Sequence, residues 1–458
     1  IQRRHQKVLE ESPCVALTPE LRTVMGDAAV RAAAAVGYVN AGTCEFLLDA
    51  DGRYYFLEMN TRLQVEHPIT EAVMGYDLVR RQLAIAAGQP LDIAQGTVAP
   101  RGHAIEVRLY AEDPANGYLP SSGRILAFAP PHAPGVRVDA GVATGDEVSV
   151  NYDPMLAKLI VAAEDRPAAI QRLRWALDHC ATLGVITNTP LLRAIADDAD
   201  FQAGRTNTAF LETHDLSDAS QPPTLDPLTL AAAALWETLA ASSPSSPSSP
   251  VSRATRGPFN PWTRGVALAG ASSGGARRFR YAAPDGRSHL VTLRAVEAPD
   301  TYMATLDGEA YPADGQTLMA TLGQDGALAL AVGAAREVVY VVRRGYELLV
   351  WAHGHSYTLA KPRPLEVETA AHSGEIVTGA QTLTAPMAGT IIKVNVAIGD
   401  TVEARETLVV LGAMKMEHAI TAPQAGRVTH VAHAAGDVVP GGATLVELAP
   451  LDGAGDAR

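Results

Sequence analysis

Glu45 and Glu58 lie on the two arms of a segment, residues 44–60, that reads as a β-hairpin. Apolar-rich arms flank Asp51-Gly52, a dipeptide suited to a tight turn. With those two residues as the loop, Ala50 pairs with Arg53, and the same register sets Glu45 directly opposite Glu58. Opposed side chains have Cβ atoms roughly 4.5–5.5 Å apart, where like charges destabilise. A divalent cation bridging both carboxylates would relieve the repulsion, and Mg²⁺ bound with nucleotide phosphates takes one or two carboxylates. Two solvated acids on an exposed strand face are the alternative. Asn60 and Arg62 continue the face of Glu58, and Gln64 and Glu66 follow, so many polar groups gather beside an apolar hairpin. Further on, Ile105, Val107 and Leu109 alternate with Ala104, Glu106, Arg108 and Tyr110, which puts Arg108 on the polar face of a half-buried strand. Alone, such an arginine is most often solvated or ion-paired.

A second chemically distinctive position lies near the other end. Residues 384–411 align without a gap onto residues 421–448. Thr384-Ala385-Pro386, Gly389, Val394, Gly399-Asp400, Val402, Leu408-Val409 and Leu411 recur as Thr421-Ala422-Pro423, Gly426, Val431, Gly436-Asp437, Val439, Leu445-Val446 and Leu448. So regular a tandem match implies two similar sheet halves about a pseudo-two-fold axis, with the Gly-Asp pairs as turns and the alternating valines facing the core. Between the halves runs Ala413-Met414-Lys415-Met416, so Lys415 falls in the connecting hairpin. Most lysines at a hairpin tip merely keep it soluble. Flanking methionines, apolar at an exposed tip, require another explanation.

The elements that must carry these groups fall into stretches divided by two seams. Ser-Ser-Pro repeats over 242–250 cannot pack a core, and over 361–383 Pro, Glu, Thr, Gly and Ala replace any apolar period. Residues 1–215 mix helices and strands. There Asp165 is placed to cap a helix whose Ile170, Leu173, Trp175 and Leu177 would share one buried face. Residues 225–241 read as a single Ala/Leu-rich helix. Over 265–360, alternating runs such as His289-Leu290-Val291-Thr292-Leu293-Arg294 and Glu337-Val338-Val339-Tyr340-Val341-Val342, punctuated by Gly and Asp-Gly turns, read as antiparallel sheet or barrel. The final stretch is short strands and turns.

A chain of 458 residues is expected to form about three domains. Its formal charge of −13 opposes nucleic-acid binding, and no apolar run approaches the roughly 18–20 residues that span a bilayer. Cys14, Cys44 and Cys180 are too scattered for a disulfide framework or a CxxC metal pair, which suits a reducing intracellular compartment. The chain opens at Ile1 and runs into Gln2-Arg3-Arg4-His5-Gln6-Lys7 without a signal-peptide apolar region. It is expected to be an N-terminal truncation.

Ala413-Met414-Lys415-Met416 resembles the attachment tetrapeptide of biotin carboxyl carrier proteins. The resemblance implies an all-β biotinyl hammerhead, lipoyl-like in fold, and biotin joined as an amide to Lys415 by a biotin protein ligase. Lipoyl domains share the fold but usually have Asp before the lysine and Ala after it, so Met414 and Met416 favour biotin. Across residues 1–215, four motifs resemble biotin carboxylase, an ATP-grasp enzyme: residues 1–7, Glu58-Met59-Asn60-Thr61-Arg62-Leu63-Gln64-Val65-Glu66-His67-Pro68, residues 108–114, and Tyr152-Asp153-Pro154-Met155. By that resemblance Glu45 and Glu58 would hold Mg²⁺ or Mn²⁺ with Asn60 assisting, and Glu66 would be the base that deprotonates bicarbonate. Lys7, Arg62, Gln64 and Val65 would position bicarbonate, Gln64 by its side chain and Val65 by its backbone N–H. Arg62 would also steady developing negative charge, Arg108 would stabilise the biotin enolate, and Gln2 and His5 would lie near the nucleotide. His67 would support its loop, and His103 would be structural.

The resemblance therefore implies a multidomain α+β chain. Residues 1–215 would be the C-terminal half of an ATP-grasp biotin carboxylase, and 216–360 a subunit-docking domain with a β-barrel around a helix. Residues 361–383 would be a linker and 384–450 the biotin carrier. The implied activity is ATP-dependent carboxylation of protein-bound biotin by bicarbonate, a ligase reaction, with carboxybiotin delivered to a separate carboxyltransferase (β) subunit in a hetero-oligomer. Met416-Glu417-His418 resembles 3-methylcrotonyl-CoA carboxylases more than propionyl-CoA ones, which often have Gln-Asn there; propionyl-, acetyl- and geranyl-CoA carboxylases are the alternatives. The family's N-terminal subdomain and Gly-rich phosphate lid are not found in this sequence. The chain alone is accordingly expected not to turn over ATP, and the competing reading is a non-catalytic biotin carrier and docking fragment. A bacterial cytoplasm is the favoured compartment, with the mitochondrial matrix as alternative.

Overall fold

The apolar patterns close into three large cores. The computed structural model describes residues 1–3, 6–216, 224–242, 276–296, 298, 300–323, 326–362, 381–413 and 416–450. Most of both seams, 243–250 and 363–380, lies outside the described residues.

In the first core an antiparallel sheet runs in the order Val136–Ala140, Met155–Ala163, His103–Tyr110, Leu9–Ser12. Helices Arg166–Asp178 and Thr189–Asp197 bury Leu173, Leu177, Leu192 and Ile195 against Ile105, Val107, Leu109 and Leu159. Helix His67–Met74 covers the opposite face, with Ile69 and Val73 on Ala104 and Ile160. Each fully buried Leu, Ile or Val in such a core is worth about 1.5–3 kcal/mol. With helices on both faces, His103–Tyr110 is buried at every position, not half-buried as its alternation suggests. Asp165 does cap its helix, accepting from the Ala168 N–H at 2.9 Å. Trp175 departs from the expected buried face. It is 38% exposed and stacks on His179, the ring centroids 4.3 Å apart.

The second core surrounds helix Pro227–Ser242. Eight strands close around it in the order Ser288–Ala295, Arg277–Ala282, His355–Ala360, Glu347–Ala352, Ala335–Arg344, Ala327–Val332, Leu318–Leu322, Thr301–Leu306, and the last pairs back to the first. Glu309–Tyr311 lies beside Thr301–Leu306. Closure removes free sheet edges, and a helix enclosed this way needs no polar face. Leu228 and Leu230–Leu235 are accordingly at most 4% exposed. The one acid near its end, Glu237, is satisfied by Tyr281 Oη at 2.8 Å, Arg343 Nη2 at 2.7 Å and Lys361 Nζ at 2.5 Å. Leu349 and Trp351 on the barrel wall pack against Ala127, Ala181 and Leu183 of the first unit.

The third core carries the internal repeat. One sheet runs Gln381–Thr384, Thr444–Ala449, Gly426–Val431, Thr401–Val402; the other runs Met416–Thr421, Thr407–Ala413, Gly389–Val394, Val438–Val439. Each sheet draws strands from both repeats, and the repeat alignment carries one sheet onto the other. Even the strand irregularity repeats. Ile391 pairs with Leu411 and Lys393 with Val410, and at the equivalent places Val428 pairs with Leu448 and His430 with Glu447. Val402, Val409, Val439 and Val446 are buried, as the alternation requires, whereas Val394 and Val431 are only partly so. Both Gly-Asp turns have the glycine at positive φ, 99° at Gly399 and 96° at Gly436. Asp400 accepts from the Ala397 N–H at 2.8 Å, and Asp437 from the Ala434 N–H at 2.9 Å. An L side chain there is strained, so Gly436→Ala should destabilise the carrier by about 1 kcal/mol or more. A urea midpoint unchanged by the substitution would contradict this reading of the turn.

Candidate functional site

The carboxylate hairpin is built by strands Thr43–Leu48 and Tyr54–Asn60. Its loop is longer than the Asp51-Gly52 dipeptide suggests. The Asp49 N–H donates to Arg53 O at 2.9 Å, while Asp49 Oδ1 accepts from the N–H groups of Asp51 and Arg53, so Ala50 and Arg53 are not a ladder pair. This loop alone would set the register one residue away from the expected one, as the pairing of Phe46 with Phe56 shows. A bulge at Leu57 then restores it, and Glu45 pairs with Glu58. The expected opposition is present through two deviations that cancel.

Asn60 Nδ2 draws the two acids together, donating to Glu45 Oε1 at 2.9 Å and Glu58 Oε1 at 3.1 Å. Gln64 Nε2 also bonds Glu45 Oε1, and Lys7 Nζ lies 3.5 Å from it. Among the described residues no cluster of three or more His, Cys, Asp or Glu is placed to hold a metal ion. Two carboxylates and an amide, whose oxygen is itself a potential ligand, fit a cation that takes its other ligands from phosphate and water.

Glu66 is the N-cap of helix His67–Met74 and sits between two cations. Lys7 Nζ bonds one oxygen, and Arg108 Nη2 donates to the other at 3.0 Å. Burial acts to raise the Glu66 pKa, but the Lys7 ammonium, a backbone hydrogen bond and Arg108 outweigh it, holding the carboxyl below its ordinary value. Arg108, 9% exposed, is gripped from behind by Glu10, whose Oε1 accepts from Nε at 2.6 Å. Asn188 Nδ2 fixes the Arg108 carbonyl at 3.0 Å. Lys7 is presented by the short ribbon Gln2–Arg3 with Gln6–Lys7, in which Gln2 faces Lys7. Arg3 anchors that ribbon, 5% exposed, ion-paired to Glu112 and lying over the Tyr110 and Tyr118 rings.

The loop before the helix is held in the same way. His67 Nδ1 lies 2.8 Å from Gln64 O, in the loop that leads into the helix. His103 Nε2 is 2.8 Å from Glu11 Oε2, the neighbour of Glu10. Lys158 Nζ donates to Val65 O at 2.8 Å. Arg62 is exposed and bonds Leu63 O at 3.3 Å, so it is not drawn into the cluster. His5 lies outside the described residues. The structure thus gathers Lys7, Glu45, Glu58, Asn60, Gln64, Val65, Glu66 and Arg108. It adds Glu10 and Lys158, which sequence reasoning passed over. A lone lysine within the apolar run Met155–Ala163 was the available signal for the second. In the carrier, Ala413 pairs with Met416, so Met414 and Lys415 form the connection between the strands and lie outside the described residues.

Comparison with known proteins agrees with this layout. Residues 1–94 match the family model of the carbamoyl-phosphate synthase L chain ATP-binding domain, 106–213 that of the biotin carboxylase C-terminal domain, and 381–448 that of the biotin-requiring enzymes. The alpha subunit of mitochondrial methylcrotonoyl-CoA carboxylase from Mus musculus is 37% identical over 429 residues, 92% of this chain and 57% of that one. The propionyl-CoA carboxylase alpha chain of Ruegeria pomeroyi is 37% identical over 455 residues, 92% of this chain and 62% of that one. Chloroplastic biotin carboxylase 2 of Populus trichocarpa is 49% identical over 215 residues, 47% of this chain and 41% of that one. Fold and sequence together match residues 1–213 to the C-terminal part of an ATP-grasp biotin carboxylase and residues 381–448 to a biotin-type carrier domain. Its relatives along most of its length are alpha subunits of acyl-CoA carboxylases, and the chain spans about three fifths of the length of the Mus musculus and Ruegeria pomeroyi proteins. Among the described residues no helix is long and apolar enough to cross a membrane.

Because Lys7 is the foremost group opposing burial at Glu66, Lys7→Met should raise the Glu66 pKa, read from the ¹³Cδ shift during a pH titration. A depressed folded pKa contributes stability above the unfolded value that is lost as pH falls through the folded one. The variant should therefore lose less stability on acidification at this group. An unmoved Glu66 titration would show that Lys7 does not set it.

Proposed function

We propose that this chain belongs to the biotin-carrying subunit of an acyl-CoA carboxylase, in which ATP and bicarbonate carboxylate biotin held on Lys415. The observation that carries the proposal is Glu66, a carboxylate kept ionised between Lys7 and Arg108 beside a second carboxylate pair, in one chain with Ala-Met-Lys-Met. Residues 1–215 would supply part of the ATP site, 216–360 dock a partner, 361–383 serve as tether and 384–450 carry biotin.

In this reading bicarbonate enters beside Glu66, oriented by Lys7, Arg62, the Gln64 amide and the Val65 N–H. Glu66 takes its proton, which suits a base whose ionised form the two cations favour. The freed oxyanion attacks the γ-phosphorus of ATP, giving carboxyphosphate and ADP. Mg²⁺ or Mn²⁺ on Glu45, Glu58 and Asn60 would offset charge on the phosphate oxygens. Gln2 and His5 would adjoin the nucleotide. Carboxyphosphate then yields CO₂ and phosphate, and the phosphate would take the proton that the ureido group gives up. Arg108, always protonated and fixed by Glu10, supplies positive charge where the ureido group of biotin must lose its proton.

The partners in this reading are a biotin protein ligase and a separate carboxyltransferase subunit. Alpha subunits named for methylcrotonoyl- and propionyl-CoA match equally well by identity, and Met416-Glu417-His418 inclines the choice to 3-methylcrotonyl-CoA, a substrate of leucine breakdown. The free thiols of Cys14, Cys44 and Cys180 accord with a reducing compartment, and a bacterial cytoplasm is the one we favour.

The test is transfer of labelled bicarbonate to protein-bound biotin in the complete carboxylase. Glu66→Gln should lower the ATP-dependent rate by about 10²–10⁴-fold with biotin content unchanged. A wild-type rate in that variant would overturn the assignment of the base.

A further inference from the structure

Behind Arg108 lies a pair of carboxyl groups, Glu10, which fixes it, and Glu106, which no step above employs. Glu10 and Glu106 are direct partners across strands Leu9–Ser12 and His103–Tyr110, on the sheet face covered by helix His67–Met74. Glu106 is fully buried, and neither of its oxygens has a hydrogen-bond partner among the described residues. The Glu10 side chain is 9% exposed; its Oε1 holds Arg108, while its Oε2 is likewise unpartnered. Directly opposed like charges repel, and unpaired buried charges are costly. Three orphaned acceptors on one buried strand pair lack a donor, and a single proton joins two of them in one hydrogen bond.

We propose that Glu106 is a positioning residue, held as a neutral carboxylic acid that donates its proton to Glu10 Oε2, so that Glu10 stays the anion that fixes Arg108 against Glu66. The proton belongs on Glu106 because Glu10 has a cation in contact and Glu106 has none. The charged groups facing Glu106 are Glu10 on the neighbouring strand, Lys158 on Met155–Ala163, Arg108 on its own strand, and Glu66 at the head of the covering helix. The rest of that helix meets the sheet through Pro68, Ile69 and Val73. Burial, then Glu10, raise the Glu106 pKa against the pull of Lys158 and Arg108, to about 8. Above that pH the pair becomes a dianion, and Arg108 is drawn from Glu66 toward it.

The placement of the proton stands independently of the proposed reaction, whereas the role of Arg108 rests on it. The experiment has two arms so that the two fail separately. In the first, infrared difference spectra of the full chain are taken between pH 6 and pH 9, flanking the value of about 8. A protonated-carboxyl C=O band should disappear on the alkaline side and be missing from Glu106→Gln. A folded pKa above the ordinary 4.5 also makes stability fall as pH rises from about 4.5 to about 8, and the Gln variant should lose that slope. In the second arm, the alkaline limb of kcat in the complete carboxylase should move upward in Glu106→Gln, which keeps a donor. Glu106→Leu, which has none, should lower kcat at every pH with the KM for ATP unchanged. Absence of the carboxyl band from the wild type overturns the proposal without need of any variant. A band present with an unmoved kcat limb overturns the positioning role.

Discussion

The Glu66 carboxylate, bridged by Lys7 on one oxygen and Arg108 on the other, ties together parts of the chain far apart in sequence. Lys7 comes from a short two-stranded ribbon, Arg108 from an inner strand of the first sheet, and Glu66 from the start of the helix covering it. Both bonds are charge-assisted and partly shielded from water, where such bonds are stronger than neutral ones. They form only if ribbon, sheet and helix are in register. Removing a partner leaves the other charge half-buried and uncompensated, which is the costly outcome for such pairs. Much of the surrounding structure serves this alignment: Arg3 locks the ribbon, Glu10 and Asn188 hold Arg108, and Lys158 holds the loop at Val65.

The other end of the chain solves a different problem. A carrier must hold out one short hairpin from a body that does not deform, and internal duplication achieves this with few residues. The repeated Gly-Asp turns and matched bulges let each half complete the sheet of the other, burying a compact set of Val, Leu and Ala side chains. The register Ala413 to Met416 then leaves Met414 and Lys415 as the connection. In sequence, a barrel filled by its own helix separates the carrier and carboxylase parts and is joined through Leu349 and Trp351 to the first unit, while Leu119 and Val150 of that unit pack on the carrier core.

Where local chemistry dictates structure, the sequence was a good guide. Asp165, the Gly-Asp turns, the all-apolar helix and the duplicated strands were legible because capping, positive φ and apolar period are local properties. The misreadings differ in origin. Trp175 stands two residues from Leu173 and two from Leu177, about 200° round the helix, so the helical period itself sets it on the outer face. The burial of His103–Tyr110 depends on what lies across the sheet, which periodicity within one element does not encode. The pairing of Glu45 with Glu58 was anticipated from the wrong turn and rescued by a bulge at Leu57 that no residue pattern announces. Glu10 and Lys158 act from strands distant in sequence, so their part emerged only once the sheet order was known.

Everything functional here turns on the claim that Lys415 carries biotin to a site of which Glu66 and Arg108 are part. The most direct measurement is the intact mass of this chain after coexpression with an active biotin ligase, beside Lys415→Arg. A single added biotin, absent from the variant, is the expected result. An unmodified lysine in the wild type, or biotin retained in the variant, would contradict it.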